Sequence, residues 1–103
     1  MALPTLTPEQ RQVALEKARD ARTARSALLA DLRAARLTLA DVLGRDDDLT
    51  RKTKVAQVVR ALPGVGQARA AAGMERTGIP PERRVGGLGS RQREQLLAEF
   101  AGQ

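Results

Sequence analysis

The sequence predicts an all-α fold in which a long N-terminal helix leads into a compact body of about four helices. Alanine and leucine, which favour helices, dominate the apolar content, and the alternation of β-branched residues typical of strands is nearly absent. Phe100 is the one aromatic residue among 103, so the core must be built from leucine, valine and alanine. We expect one small domain over 1–103, with an arm and long helix in 1–36 and the body in 37–103.

The long helix begins at a capping signature. Thr7 precedes Pro8, and Gln10 stands where its side chain can reach back to the backbone of Thr7. We expect a flexible arm over 1–6 and a helix from Pro8 to about Arg36, because no glycine or proline interrupts that stretch. Large apolar side chains are few in its first half, which we expect to project from the body.

Charges are segregated around this helix. At about 100° per residue, five arginines fall within about 80° of one another. They are Arg11, Arg22, Arg25, Arg33 and Arg36. The acidic side chains lie on the opposite side, and they are Glu9, Glu16, Asp20 and Asp31. We interpret Arg11, Arg22, Arg25 and Arg33 as a possible second edge that faces a polyanion, with a merely solvated helix face as the alternative.

Shorter helices follow. Thr38 and Gly44 bound a short helix, and one of the aspartates in Asp46–Asp48 is expected to cap the next. That next helix is predicted from Leu49 to Leu62, with Val55, Val58, Val59 and Leu62 on its core face. A helix over Gln67–Arg76 ends at Thr77-Gly78, and Ser90 is expected to cap a last helix over Arg91–Phe100. Ile79 is expected to fill the core from a loop.

The turn Leu62–Gly66, with sequence Leu-Pro-Gly-Val-Gly, is the first candidate binding site. Pro63 stops one helix, and the two glycines let the backbone turn tightly before the next. Free N–H groups at a helix N-terminus reached through glycines are suited to hold a phosphate. An ordinary corner between helices is the alternative. A second glycine-rich segment, Glu82–Ser90, carries Arg83 and Arg84 and is followed by Arg91.

The distribution of charge supports a polyanion partner. The chain has 18 basic and 12 acidic residues, for a net charge of +6. Residues 1–50 hold eight of each sign, whereas residues 51–103 hold ten basic and four acidic ones. The excess thus lies in the half that carries the glycine turn, which favours nucleic acid. The alternative is that the high isoelectric point serves solubility alone.

Several chemistries are excluded by composition. Because the chain has no cysteine and no histidine, disulfides, the common zinc sites and histidine-dependent catalysis are excluded. We expect no metal, cofactor or small-molecule substrate. The N-terminus lacks the pattern of a signal peptide, and no apolar run approaches the roughly 20 residues that span a bilayer. We therefore expect a cytoplasmic protein without a membrane partner.

The mode of nucleic-acid binding follows from what accompanies the arginines. No helix carries a cluster of asparagine, glutamine and arginine suited to reading base edges, and aromatic platforms for single strands are missing. Backbone amides and arginines favour contact with phosphates. We therefore expect binding to duplexes through the sugar–phosphate backbone, with weak sequence preference and strong salt dependence.

Five segments together resemble one known family. They are Lys52–Val55, Leu62–Gly66, Met74–Arg76, Arg83–Gln92 and the opening Met1–Arg11. Over essentially the full chain these are similar to the actinobacterial integration host factors. The resemblance implies a nucleoid-associated protein whose body contains a helix–two-turns–helix motif. It also implies binding to double-stranded DNA without strict sequence preference, and a part in chromosome organisation. We expect a monomer located in the nucleoid.

The resemblance also implies a set of contact residues. Gly64, Val65 and Gly66 are similar to the family's phosphate-contacting loop. Gln67 stands where the family usually has lysine, and Gly86 where it often has arginine, so two cationic contacts are expected to be missing. The full predicted DNA-binding set is Gly64, Val65, Gly66, Gln67, Arg69, Lys52, Lys54, Arg83, Arg84 and Arg91.

Three other functions are alternatives to the binding of double-stranded DNA. A small-subunit ribosomal protein that binds rRNA has a similar glycine turn, and Gly66–Ala70 and Gly78–Pro80 fit it, but a long basic C-terminal extension is expected there. DNA glycosylases also use this motif, but they need an N-terminal proline and a catalytic lobe. With alanine at position 2 and 103 residues in all, we expect no enzyme. A helix bundle that binds other proteins is the third alternative.

Overall fold

The computed structural model describes residues 5–101, and their regular structure is helical. The helices are α1 (Pro8–Arg33), α2 (Leu39–Leu43), α3 (Asp48–Lys52), α4 (Val55–Ala61), α5 (Gly66–Thr77) and α6 (Ser90–Glu99). A short 3₁₀ turn covers Val85–Gly87. The all-α class and the long first helix are confirmed. Of the predicted arm over 1–6, Met1–Pro4 lie outside the described residues, while Thr5 and Leu6 are exposed.

Helix α1 starts as its sequence predicts. The Thr7 hydroxyl accepts from the Gln10 N–H at 3.1 Å, and the Gln10 side-chain oxygen accepts from the Thr7 N–H at 3.0 Å. These two bonds satisfy amides that the first turn of any helix leaves free. The helix ends at Arg33, short of the predicted Arg36, because Ala35 takes a left-handed conformation at φ 61°.

The two halves of α1 have different surroundings. Every residue from Thr7 to Asp20 is exposed, whereas Leu28 and Leu32 are buried against the body. Helix α1 contacts α4 and α3 through this second half. The projecting first half and the docked second half are therefore as predicted. Within residues 5–101, no helix is both long and apolar enough to cross a bilayer.

The single helix predicted from Leu49 to Leu62 is wrong. The chain forms α3 and α4 there, separated at Thr53, whose backbone is extended with φ −77° and ψ 137°. The buried Thr53 hydroxyl donates to the carbonyl of Leu49 at 2.7 Å. The Val85 N–H donates to the Thr53 carbonyl at 3.0 Å, and the Val55 N–H donates to the Arg83 carbonyl at 2.9 Å. These bonds replace helical ones, so a distant segment decides the break.

The core lies where α1, α4, α5 and α6 meet. Its fully buried side chains include Leu32, Val55, Val58, Val59 and Leu96. Ile79 is also buried, as expected for its loop. Asp47 caps α3 by accepting from the Thr50 N–H at 3.0 Å, which confirms an aspartate cap.

The ends of α5 and α6 differ slightly from the prediction. Helix α5 covers Gly66–Thr77 and ends, as predicted, at Gly78, which is left-handed at φ 72°. The cap of α6 is Gly89 and not Ser90, because the Gly89 N–H donates to the side chain of Gln92 at 3.1 Å. Ser90 is instead the first helical residue.

Candidate nucleic-acid interface

The glycine turn joins α4 to α5 through two left-handed residues. Gly64 has φ 76° and Gly66 has φ 68°, a region in which side chains are strained. Val65 between them is buried, and its N–H donates to the Leu62 carbonyl at 3.2 Å. The turn is thus anchored by Val65, while the glycines on both sides of it are exposed.

Helix α5 begins without a cap. Thr7, Thr38 and Asp47 each cap a helix through a side chain, but Val65 at the start of α5 has no side-chain oxygen to offer. Among residues 5–101 no acceptor is found for the N–H groups of Gly66 and Gln67. These amides combine with the positive end of the helix dipole to form a site suited to an anion.

A second basic region forms at the junction of α3 and α4. An isolated antiparallel bridge pairs Lys54 with Arg84 and holds the loop after α5 against this junction. We call Lys52, Lys54, Arg83 and Arg84 the junction cluster. The sequence places these residues in two segments, and the structure brings them together.

The members of the junction cluster differ in how their side chains are engaged. Arg83 Nη1 donates to the Gly87 carbonyl at 3.1 Å and to the Gln92 side chain at 3.3 Å. Arg84 Nη1 donates to the Lys52 carbonyl. Lys52 and Lys54 are exposed, and in the described part of the chain their ammonium groups have no hydrogen bond or ion pair. The two arginines therefore hold the loop after α5 in place, and the ammonium groups of the two lysines are exposed to solvent.

The turn and the junction cluster lie at opposite ends of α4. Lys54 precedes this helix and Leu62 follows it, so its seven residues separate the two by on the order of 10 Å. That separation is comparable to the widths of the grooves of B-DNA, about 6 Å and 12 Å. The amides of the turn and the charged side chains of the junction cluster can thus present two positive regions at about the spacing of a groove.

Arg69 lies apart from the turn. Its guanidinium donates to the Glu99 carboxylate at 2.8 Å and to the Glu99 carbonyl at 2.6 Å, and it lies 4.9 Å from the ring centre of Phe100. Arg76 donates to the same carboxylate at 2.7 Å. Together, Arg76 first and then Arg69 hold the pKa of the Glu99 carboxyl below its ordinary value. These contacts connect α5 to α6, and they leave Arg69 few free donors.

The remaining predicted residues fall into separate places. Arg91 is exposed in the first turn of α6, and Arg11 and Arg22 are exposed on α1. Arg25 is half-buried, and its Nε has no partner within residues 5–101. Arg33 lines the same cleft as Gln67, whereas Arg11 and Arg22 lie farther towards the start of α1.

The structure explains why residue 86 is a glycine, and it adds Arg60 to the candidate site. A Cβ added to Gly86 would lie 3.0 Å from both Cβ and Nε of Arg51, so this glycine permits close packing of the 3₁₀ turn on α3. Arg60 was not among the predicted site residues, yet it lines the same cleft as Arg33 and Gln67. The signal in the sequence that could have identified Arg60 is its position four residues before Gly64, near the end of α4.

The geometry is that of a helix–two-turns–helix protein in which the second helix, α5, begins without a cap behind two left-handed glycines. Residues 32–100 match the family described as "S13-like H2TH domain". A relative named "Integration host factor" from Streptomyces coelicolor is 48% identical over 102 residues, covering 97% of this chain and 95% of the relative. A relative of the same name from Mycobacterium tuberculosis is 46% identical over 102 residues, covering 97% of each chain.

A solved structure is similar in fold as well as in sequence. It is described as sIHF bound to an 8-base-pair palindromic DNA, and it matches with a TM-score of 0.79 and 42% identity. The match covers 84% of this chain and 99% of that one. The chain belongs to the actinobacterial integration host factor family, as its sequence motifs indicated. Matches of this name over nearly the full length do not favour the ribosomal alternative.

Proposed function

We propose that this protein binds double-stranded DNA through the sugar–phosphate backbone, without strict sequence preference, and acts as a nucleoid-associated protein in the cytoplasm. The observation that carries the proposal is the uncapped start of α5 behind two left-handed glycines, Gly64 and Gly66. A related structure in this family is described as bound to DNA, which supports the same partner. The function is binding and not catalysis.

The chemistry of the turn suits a phosphodiester. A phosphate oxygen can accept from the N–H groups of Gly66 and Gln67, and no side chain at the glycines obstructs its approach. Backbone amides make the same contact with any sequence, because every nucleotide carries the same phosphate. The turn therefore fixes the position of the duplex without reading its bases.

The junction cluster supplies a second contact across a groove. Lys52 and Lys54 are free to approach phosphates, while Arg83 and Arg84 hold the loop after α5 against the junction that carries these lysines. With the turn at one end of α4 and the cluster at the other, we propose that each contacts a different strand of one duplex. A single chain suffices for this arrangement, in line with a monomer.

Salt dependence tests this function. Unrelated duplexes of equal length are titrated in gel-shift assays at two salt concentrations, with a structured RNA in parallel. If about six phosphates are neutralised, the logarithm of the binding constant falls with the logarithm of salt at a slope near −5, equally for each duplex. Affinity that does not change with salt contradicts a backbone mechanism, and tighter binding to RNA supports the ribosomal alternative.

A further inference from the structure

A cleft opens where α1, α4 and the first turn of α5 meet. Its volume is about 290 Å³. The residues that line it are Leu29, Arg33, Gln57, Arg60, Ala61 and Gln67. The cleft therefore lies between Gln67 in the first turn of α5 and the C-terminal part of α1, at Leu29 and Arg33.

The charge of this cleft is uncompensated. It contains two guanidinium groups, those of Arg33 and Arg60, and its lining includes no carboxylate. Neither group has an ion pair or a hydrogen bond with any residue from 5 to 101. Two unpaired cations that line one cleft favour the binding of an anion there.

The position of Gln67 connects this cleft to the phosphate site. Its side chain lines the cleft, and its N–H belongs to the uncapped first turn of α5. A polyanion held at the turn thus continues directly into the space between Arg33 and Arg60. A single small anion could bind at the turn or in the cleft, but only a chain of phosphates can bind at both places at once.

We propose that Arg33 and Arg60 bind a phosphate of the same duplex next to the one at the glycine turn. The DNA backbone then runs from the start of α5 towards the base of α1. This inference rests on the proposed function and adds two contact residues on one continuous track to it. Arg33 is part of this track, while Arg22 lies 11 residues away along α1, at roughly 16 Å.

The experiment measures the salt slope of duplex binding for Arg33→Gln, Arg60→Gln and the double variant. Loss of this one phosphate contact reduces the magnitude of the slope by about 0.9 in the double variant, and by part of that in each single variant. The matched control is Arg19→Gln, which removes an equally exposed arginine from α1 at about 21 Å from Arg33. Its slope is expected to stay close to that of the unmodified chain.

Two further variants separate contact from structure. Arg60→Lys keeps a cation in the cleft and is expected to keep the slope. Gln67→Lys in the Arg60→Gln background returns a positive charge to the same cleft and is expected to restore it. A merely structural role of Arg60 predicts instead that the melting temperature falls, whereas relief of repulsion leaves it unchanged or raises it at low salt.

The possible results decide between the two proposals. Slopes that fall for Arg33→Gln and Arg60→Gln but not for Arg19→Gln establish the track. If Arg33→Gln, Arg60→Gln and Arg19→Gln all have the same slope, the proposed track is overturned. A melting temperature that falls in proportion to the affinity overturns it as well. If the unmodified chain itself binds duplex DNA without salt dependence, the proposed function fails first, independently of the cleft.

Discussion

A Cβ atom on Gly73 would lie 2.4 Å from Cζ of Phe100, so the absence of a side chain at residue 73 is what lets α6 lie against α5. Gly73→Ala is therefore expected to destabilise the fold by about 1–3 kcal/mol, because the ring has to move within a packed interior. Chemical denaturation followed by circular dichroism measures the change.

Gly44→Ala is the control for this substitution. A Cβ there would lie 3.4 Å from the nearest atom, the Ala40 carbonyl oxygen, and the backbone is that of an ordinary helix end. The free energy of unfolding of Gly44→Ala is therefore expected to stay close to that of the unmodified chain. Replacing Phe100 with leucine in the Gly73→Ala background should recover part of the loss, since a shorter side chain vacates the position. Equal stability of Gly73→Ala and Gly44→Ala would show that the ring adjusts freely.

Gly66 and Gly78 form a matched pair that separates strain from binding. Their φ angles are 68° and 72°, and an added Cβ on either would meet no atom within 4 Å. Gly66→Ala and Gly78→Ala are thus expected to cost similar stability, on the order of 1–2 kcal/mol. Only Gly66→Ala should weaken DNA binding, because only its methyl group would stand in front of the amides of α5.

The two alanine variants are compared by thermal melting and by gel shift. Gly66→Val is expected to weaken binding further, since its side chain is larger. If Gly66→Ala is folded and keeps full affinity, the turn is an ordinary corner. If both variants lose affinity equally, the loss follows from strain in α5 and not from the phosphate site.

Lys52 and Lys54 are expected to contribute charge to binding and little to folding. The double variant Lys52→Gln with Lys54→Gln should reduce the magnitude of the salt slope by about 1.8 on every duplex, with an unchanged melting temperature. Lys17→Gln, which alters the remaining lysine of the chain, is the control and should leave the slope unchanged. Weakening on one duplex only would indicate that these lysines read bases.

Glu99 makes stability depend on pH. The arginine contacts lower the pKa of its carboxyl in the folded state, so the charged form is favoured by folding. That stabilisation is complete above the ordinary carboxyl value and is lost as the pH falls through the lower folded value. Glu99→Gln should therefore be less stable than the unmodified chain near neutral pH, and the difference should shrink as the pH falls below the ordinary carboxyl pKa of about 4.

Denaturation curves measured across that range test the sign. Asp47 also has a lowered pKa, because its carboxylate accepts from the Thr50 N–H, and it remains in both proteins. The acid sensitivity that persists in Glu99→Gln is assigned to such caps. A difference between the two proteins that grows as the pH falls would contradict the role of Glu99.

Local features of the fold were predictable from the sequence, and remote ones were not. The caps at Thr7 and Gly78 follow from residues a few positions apart, so a pattern suffices to predict them. The break at Thr53 depends on carbonyl and amide groups of residues 83 and 85, about thirty positions away. Ala35 ends α1 without glycine, so nothing in the local sequence indicated the position.

The candidate site also has features that the local sequence predicts and features that depend on remote residues. Two glycines beside a proline predict a turn, and their left-handed angles agree with that prediction. The partnership of Arg69 with Glu99 joins residues 30 apart, and no pattern within α5 indicates it. That Arg33 and Arg60 line one cleft depends on how α1 docks on α4, through the packing of buried side chains such as Leu28 and Leu32.

Phe100 gives this protein an unusually simple spectrum. It is the only aromatic side chain in the sequence, and it lies between Gly73 and Arg69 where α5 meets α6. All aromatic proton resonances of the chain therefore come from one ring, and neither tyrosine nor tryptophan absorbs or emits light. Any change in those resonances reports on a single contact between two helices, and bound DNA can be followed by its absorbance with almost no protein background.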